Sequence, residues 1–279
     1  MTPEQLVLEV KNLFTLPEIY LKVRATIDDP KSTVEDVAII VAQDPNISAR
    51  ILRIVNSSFF GFATEIHSIS RAINIMGFSQ VHDLVLTIAT VNTFKGMKSH
   101  LINMKDYWLH SVFCAAIAKL LARKCNIVDS ERLFVSGILH DIGHLVIYSK
   151  LPSHAEKLLQ RAKKEQRPLA ELEREVFGFD YAEVGGELLR LWKLPDCFHK
   201  TIYQHTNVVP DQAFALESAI IQLSNIVALR EESIKTGLAV PKVDCFSFQV
   251  TETNEEDLAY LKVEAKKNMA DILKLLFTK

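Results

Sequence analysis

The sequence predicts an all-α protein with two helical lobes, and three observations support this fold class. Glycine and proline are scarce, with 9 of each in 279 residues, so the chain lacks the turn residues that many short strands need. Apolar residues recur at helical spacing along most of the chain. Capping residues precede several of these apolar segments. A hydrophobic content of 48% supports a sizeable core.

The first lobe, about residues 1–98, is predicted to contain a series of short helices. Ser32-Thr33-Val34-Glu35 has the capping-box pattern, and Asp44-Pro45 supplies a capping side chain followed by a first-turn proline. The predicted helices are Ser32 to about Gln43, Asn46 to about Asn56, Ser68–Met76 and Gln80 to about Phe94. The polar segment Gly96–Ser99 has no apolar periodicity and is the best internal boundary.

The second lobe, about residues 104–237, is predicted to be a helical bundle. A long amphipathic helix runs from Asp106 to about Lys124, and a helix apolar on nearly all faces runs from Ser130 to about Tyr148. A helix of the second kind is expected to be buried. The further predicted helices are Pro152–Gln166, Glu171–Phe177, Ala182–Trp192, Pro195–His205 and Ala213–Lys235.

Residues 238–279 are predicted to be an appended segment. Phe246, Phe248 and Val250 alternate with other residues, which indicates a weakly β-like stretch over residues 238–253. Glu255–Phe277 has the pattern of a final helix.

Charge and cysteine usage exclude several classes of protein. A net charge of −2 is not the basic surface that nucleic-acid binding requires, so we expect no nucleic-acid partner. The apolar runs are too short to span a bilayer and no signal peptide precedes them, so we expect a cytoplasmic protein without a membrane partner. The four cysteines form no CxxC pair, which argues against a disulfide framework or a zinc knuckle.

A His-Asp pair on the buried helix is the strongest candidate for chemistry. Asp141 must have a partner because an unpaired buried carboxylate is costly. Gly137 and Gly143 flank His140-Asp141, although each costs about 1 kcal/mol relative to alanine within a helix. Close approach of another helix, a metal or a ligand would explain them. His110 faces inward on the preceding helix, so two antiparallel helices could bring His110, His140 and Asp141 together as metal ligands.

These residues and their neighbours resemble the HD superfamily of metal-dependent phosphohydrolases, and the wider pattern resembles its HDOD subgroup. The resemblance covers about residues 10–235. It is carried by Asp44-Pro45-Asn46-Ile47-Ser48-Ala49-Arg50-Ile51-Leu52, Asn56-Ser57, Phe60-Gly61, Ile69-Ser70-Arg71-Ala72-Ile73, Met76-Gly77, His140-Asp141-Ile142-Gly143, Gly178-Phe179-Asp180, Ala182-Glu183-Val184-Gly185 and Trp192-Lys193-Leu194-Pro195. It implies a helical HDOD domain in a bacterial signalling protein, with an HD-like bundle in the second lobe.

Departures from the family pattern bear on function. Catalytic HD proteins use a further aspartate in a late helix as a metal ligand, and the matching position here is Asn225. HDOD-like sequences often have histidine where this chain has Tyr181. Related cyclic-dinucleotide phosphodiesterases use a histidine pair where this chain has Gln204-His205, and their Gly-Tyr-Pro motif is absent. The ligands for a two-metal hydrolase are therefore too few.

Two interpretations of the His-Asp group stay open. His110, His140 and Asp141, with Asn225, would hold one divalent metal (Fe, Mn, Ni, Zn or Mg), and Tyr181, Gln204, His205 and Gln222 would line the cavity. Alternatively, the three residues form a hydrogen-bonded structural triad with no metal cofactor. His144, one turn after His140, is interpreted as an edge histidine.

Three functions follow as hypotheses. The first is a regulatory module without hydrolase activity that binds a signalling protein on a separate chain or a small nucleotide-like ligand. The second is a metal-dependent phosphohydrolase, acting on nucleotides or cyclic dinucleotides, with a degenerate HD site. The third, an RNA- or DNA-binding regulator, is disfavoured by the net charge.

Overall fold

The computed structural model describes residues 1–57, 60–62 and 64–277, apart from the side chains of residues 268 and 275. Over these residues the secondary structure is helical without a strand, which confirms the predicted fold class. The helices are α1 (Pro3–Val10), α2 (Glu18–Asp28), α3 (Val34–Ala42), α4 (Pro45–Val55), α5 (Ile69–Met76), α6 (Phe78–Thr93), α7 (Met104–Lys124), α8 (Ser130–Leu139), α9 (Ile142–Lys150), α10 (Pro152–Glu165), α11 (Leu169–Phe177), α12 (Tyr181–Leu191), α13 (Asp196–Gln204), α14 (Ala215–Thr236), α15 (Cys245–Thr251) and α16 (Glu255–Phe277). None of these described helices combines the length and apolar character needed to cross a membrane.

The chain divides into two compact units. Unit 1 comprises Met1–Leu13 and Met97–Ala265, and unit 2 comprises Phe14–Gly96 and Lys266–Lys279. Residues 1–13, expected in the first lobe, belong instead to unit 1. The reason is the apolar face of α1, since Leu6, Val7 and Val10 are buried and α1 packs against α9 and α12.

Unit 2 contains α2 to α6 and the end of α16. The capping box of α3 uses Thr33 and Asp36, one residue later than the predicted Ser32 and Glu35. Asp44 caps α4 as predicted, because its carboxylate accepts the backbone N–H groups of Asn46 at 2.9 Å and Ile47 at 3.1 Å. Local capping chemistry therefore sets where both helices begin.

Unit 1 is built around α7, which is buried along most of its length and packs against α8 and α14. Gly137 explains how closely α8 approaches, since a Cβ atom there would overlap the Cα of Ala115 on α7. Gly143 has the same role between α9 and α12, where a Cβ atom would overlap the carbonyl oxygen of Tyr181 and lie 2.7 Å from the backbone nitrogen of Gly185. Close helix approach therefore accounts for both glycines that flank the His-Asp pair.

The predicted helix over residues 130–148 is in fact two helices, α8 and α9, which meet at His140 and Asp141. His140 is the C-cap of α8 and Asp141 is the N-cap of α9. The Asp141 carboxylate makes no bond to the backbone of α9, because it accepts a hydrogen bond from the side chain of His144. The apolar periodicity continues across this break, so the pattern alone did not reveal it.

The β-like stretch expected over residues 238–253 is wrong. Residues Cys245–Thr251 form α15, which Asp244 begins by accepting the backbone N–H of Phe246 at 3.0 Å. α15 packs against α14, so tertiary contact and a cap override the weak alternation of three apolar residues.

Candidate metal centre

His140 lies at the centre of the candidate site and is fully buried. Its Nδ1 is 2.8 Å from the carbonyl oxygen of Gly137. Because a carbonyl oxygen can only accept, Nδ1 carries the proton and Nε2 presents a lone pair. Burial lowers the pKa of His140 to about 3 despite the nearby Asp141 carboxylate, and the charges of neighbouring histidines add to the lowering. The imidazole is therefore a neutral acceptor, the form in which histidine binds metals.

Asp141 belongs to a largely buried charge cluster with His144 and Glu173. His144 Nδ1 donates to Asp141 Oδ1 at 2.7 Å, and His144 Nε2 is 3.3 Å from Glu173 Oε1. Burial opposes a charged imidazole, but Asp141 and then Glu173 raise the pKa of His144 to about 10. In turn, the His144 charge outweighs burial and holds the pKa of Asp141 well below its usual range. The expectation of an edge histidine is wrong, because His144 is an imidazolium between two carboxylates.

His110 on α7 approaches His140 from the other side. His110 Nε2 is 3.3 Å from His140 Nε2 and 3.2 Å from Asn225 Oδ1 on α14. Its Nδ1 is 3.0 Å from Glu232 Oε2. The N–H bond at Nδ1 does not point at this oxygen, so the contact is an ion pair without hydrogen-bond geometry. Burial alone would lower the pKa of His110, but the nearby carboxylates of Glu232 and Asp141 together raise it.

Asn225 is oriented by a directional chain of hydrogen bonds. His205 Nδ1 donates to the carbonyl oxygen of Ile202 at 2.6 Å, so its Nε2 accepts from Tyr181 Oη at 3.2 Å. The Tyr181 hydroxyl, having donated to His205, accepts from Asn225 Nδ2 at 2.9 Å. This leaves Asn225 Oδ1 directed at His110. Tyr181 also stacks on the His144 imidazolium, with ring centroids 3.9 Å apart.

Potential metal-ligand atoms lie close together around His110 and His140. Potential ligand atoms of His110, His140 and Asp141 lie within 4.8 Å of one another, and Asn225 Oδ1 lies beside them. Because His140 Nε2 and Asn225 Oδ1 both accept, either the Nε2–H of His110 or a cation lies between them. Two imidazoles, a carboxylate and an amide oxygen suit a single divalent cation of the Fe, Mn, Ni or Zn type. The donor set therefore fits one metal ion.

The remaining predicted cavity residues lie in different surroundings. Tyr181 and His205 belong to the chain that ends at the cluster. Gln222 accepts from Ser247 Oγ at 2.6 Å and so faces α15. The Oε1 atom of Gln204 is buried without a hydrogen-bond partner among the described residues. Among the described residues, hydrogen bonds therefore join Tyr181 and His205, but neither glutamine, to Asn225.

Sequence reasoning did not single out Glu173 or Glu232. Glu173 falls at helical spacing between Leu169 and Phe177 on α11, and a carboxylate on an apolar stripe is a readable signal. Glu232 follows Asn225 by two helical turns on α14, which places both on one face. That spacing indicates a role for Glu232 only once Asn225 is known to contact His110.

Comparisons with known proteins agree with this architecture. The sequence profile of the HDOD domain family matches residues 13–208. An uncharacterized protein of Treponema pallidum (strain Nichols) is 25% identical over 197 residues, which are 69% of this chain and 37% of that protein. The chain thus spans little more than a third of this curated relative.

Two crystal structures are similar along nearly their whole length. One is an HDOD domain protein of unknown function from Geobacter sulfurreducens, with a TM-score of 0.71 and 24% identity over 99% of this chain and 98% of that one. The other is a candidate phosphohydrolase from Shewanella amazonensis SB2B, with a TM-score of 0.69 and 23% identity over 97% of this chain and 96% of that one. At these identities the similarity establishes the fold.

Proposed function

This chain belongs to the HDOD domain family, and we propose that it is a signal-transduction module that does not hydrolyse phosphoesters. The observation that carries the proposal is the hydrogen bond from Asn225 Nδ2 to Tyr181 Oη. Where the family resemblance implies an aspartate and a histidine, this chain has two neutral side chains that bind each other. Asn225 and Tyr181, the two positions that depart from the catalytic pattern, thus belong to one buried hydrogen-bond network.

The charge balance supports the same function. Hydrolysis by two metals needs carboxylates or other anions that bridge and neutralise them. In the described cluster Asp141 supplies one carboxylate, and its charge is already shared with the His144 imidazolium. A second divalent cation would leave several positive charges in a buried site without compensation. One cation at most therefore fits.

Regulation would follow from binding. A protein partner, or a small anionic ligand of the nucleotide type, would shift the module between conformations according to its differential affinity for them. A structurally similar protein of Marinobacter aquaeolei VT8 is described as a candidate signal transduction protein, with a TM-score of 0.70 and 20% identity over 94% of this chain and 58% of that one. The likeness supports the fold on which this proposal relies.

A second candidate is a phosphohydrolase with one metal. The observation in its favour is the convergence of His110, His140 and Asp141. A bound divalent cation supplies Lewis acidity toward a phosphoryl oxygen. The neutral His140 and Asn225 side chains would hold it, and the half-buried Asp141 would be its anionic ligand.

Metal content and turnover together test these candidates. Untagged wild-type protein and Asp141→Ala would be analysed for bound metals and assayed with a chromogenic phosphodiester, nucleotides and cyclic dinucleotides, each with Mn, Fe, Zn, Ni or Mg. For the regulatory module we expect no turnover by wild-type protein above that of Asp141→Ala. Turnover that the substitution abolishes would establish the second candidate and refute the first.

A further inference from the structure

Glu232 is a half-exposed residue in direct contact with His110. Its side chain is 38% exposed, whereas that of His110 is 7% exposed. The carboxylate contacts Nδ1 of His110, and the opposite ring nitrogen faces His140 and Asn225. Glu232 therefore links the surface of α14 to the metal-facing atom of His110 through a single imidazole ring.

The partner of Nδ1 decides what Nε2 can do. A neutral imidazole has one N–H and one lone pair, so an acceptor at Nδ1 holds the proton there and frees Nε2 for a metal. His140 and His205 have backbone carbonyl partners at Nδ1, from Gly137 and Ile202. For His110 the corresponding partner is a side chain. Of these three histidines, His110 is therefore the one whose Nδ1 neighbour a side-chain substitution can remove.

Without Glu232 the proton of His110 would move from Nδ1 to Nε2. The nearest acceptors for a His110 proton would then be Asn225 Oδ1 and His140 Nε2, both on the Nε2 side of the ring. A proton placed there occupies the position that a cation would take. The charge of Glu232, 3.0 Å from Nδ1, favours the ring proton on Nδ1 over the two neutral acceptors on the Nε2 side, because a charged acceptor attracts a proton donor more strongly than a neutral one.

We propose that Glu232 is a positioning residue that holds the His110 proton on Nδ1 and so keeps Nε2 available to a divalent cation. This inference rests on the metal site named under the proposed function. It adds that cation affinity at a buried site is controlled by a carboxylate that solvent and partners reach from the surface of α14.

The test uses Co²⁺ as the probe and the full chain as the protein. Binding would be followed by the visible absorption of Co²⁺ in wild-type protein, Glu232→Gln and Glu232→Leu. Glutamine keeps a neutral acceptor and leucine keeps bulk without one. Loss of an outer partner of a metal ligand typically weakens binding about 10–100-fold. We expect that loss for Glu232→Leu and a smaller one for Glu232→Gln.

The matched control is Glu231→Leu. Glu231 is the preceding residue of α14 and pairs with Lys262 on α16, away from His110. The variant changes helix propensity and surface charge in the same way, so we expect its Co²⁺ affinity to equal that of wild-type protein. An equal loss in this control would show a general effect of α14 and overturn the inference.

A second measurement needs no metal. Nitrogen-15 NMR of labelled histidines, with His110→Asn for assignment, would show whether His110 Nδ1 carries a proton in the metal-free protein. We expect a protonated Nδ1 in wild-type protein and a proton on Nε2 alone in Glu232→Leu.

The outcomes separate the two proposals. Co²⁺ binding that Glu232→Leu leaves unchanged, or a bare Nδ1 in wild-type protein, overturns the positioning role and leaves the regulatory function standing. Wild-type protein that takes up no Co²⁺ refutes the metal site itself and the inference with it.

Discussion

The side-chain amide of Asn225 donates a hydrogen bond to the phenol oxygen of Tyr181, at 2.9 Å and across 44 residues of sequence. The bond fixes which end of the amide faces the histidines, because the phenol hydrogen is already given to His205. Changing either residue alone would leave a buried polar atom without its partner, at a cost of about 1–3 kcal/mol. The two residues therefore act as a pair.

Asn225→Asp should strengthen metal binding and weaken the metal-free fold. A carboxylate adds the anionic ligand that the cluster lacks, but it cannot donate to Tyr181. We expect Co²⁺ affinity to rise at least about tenfold, which is 1.4 kcal/mol, and the metal-free Tm to fall. Calorimetric titration and thermal unfolding would measure both. Adding Tyr181→His should recover part of the lost Tm; an additive loss would show that the residues are independent.

His144→Gln should destabilise the protein by about 3–5 kcal/mol, because it leaves the half-buried carboxylate of Asp141 and the buried carboxylate of Glu173 without the cation between them. Glu173→Gln in the same chain should recover much of this loss. Burial raises the pKa of Glu173 even with His144 present, so the neutral amide is tolerated there. Urea unfolding of the two single variants and the double variant would give the coupling energy. A coupling near zero would contradict the charge cluster.

Gly143→Ala should destabilise the protein more than Gly185→Ala. The new methyl group at residue 143 meets the backbone of α12, which cannot move without shifting the helix. At residue 185 the nearest atom is Cγ2 of Ile202 at 3.3 Å, which a small rotation relieves. We expect a loss of about 3 kcal/mol at residue 143 and about 1 kcal/mol at residue 185. Equal midpoints in urea would contradict the close approach of α9 and α12.

Lys119 should make stability depend on pH in the alkaline range. Burial lowers its folded-state pKa to about 8 from 10.5, against the attraction of Glu131 at 3.3 Å. Between these values the unfolded chain binds the proton that the folded chain has lost, so stability rises with pH. The Lys119 contribution is at most about 3 kcal/mol.

Lys119→Met provides the comparison, because Glu131 keeps Arg123 and Ser130 as partners. We expect the stability of the variant relative to wild-type protein to fall as the pH rises from about 8 to 10. Urea unfolding at several pH values would show this. A constant difference would mean that the folded pKa is unshifted.

The sequence predicted the helical fold, because apolar spacing and capping residues are local signals. It also suggested that antiparallel packing could bring His110 beside His140 and Asp141, whose potential ligand atoms lie within 4.8 Å of one another. It did not predict the break between α8 and α9, where the Asp141 carboxylate bonds to the side chain of His144 and leaves the backbone of α9 without a side-chain cap. Nor did it predict the roles of Glu173 and Glu232. Each depends on which helix lies opposite, and that is decided by packing after the helices have formed.

The segment that matches the family profile is shorter than the segment that supplies the side chains of the candidate metal centre. The family profile ends at residue 208, whereas Asn225 and Glu232 follow on α14, and His110 meets Asn225 across 115 residues. A chain cut after residue 208 would keep the His-Asp pair but lose the helix that packs against α7. Trimming the protein to its recognisable domain would therefore remove Asn225 and Glu232 together with one wall of the core.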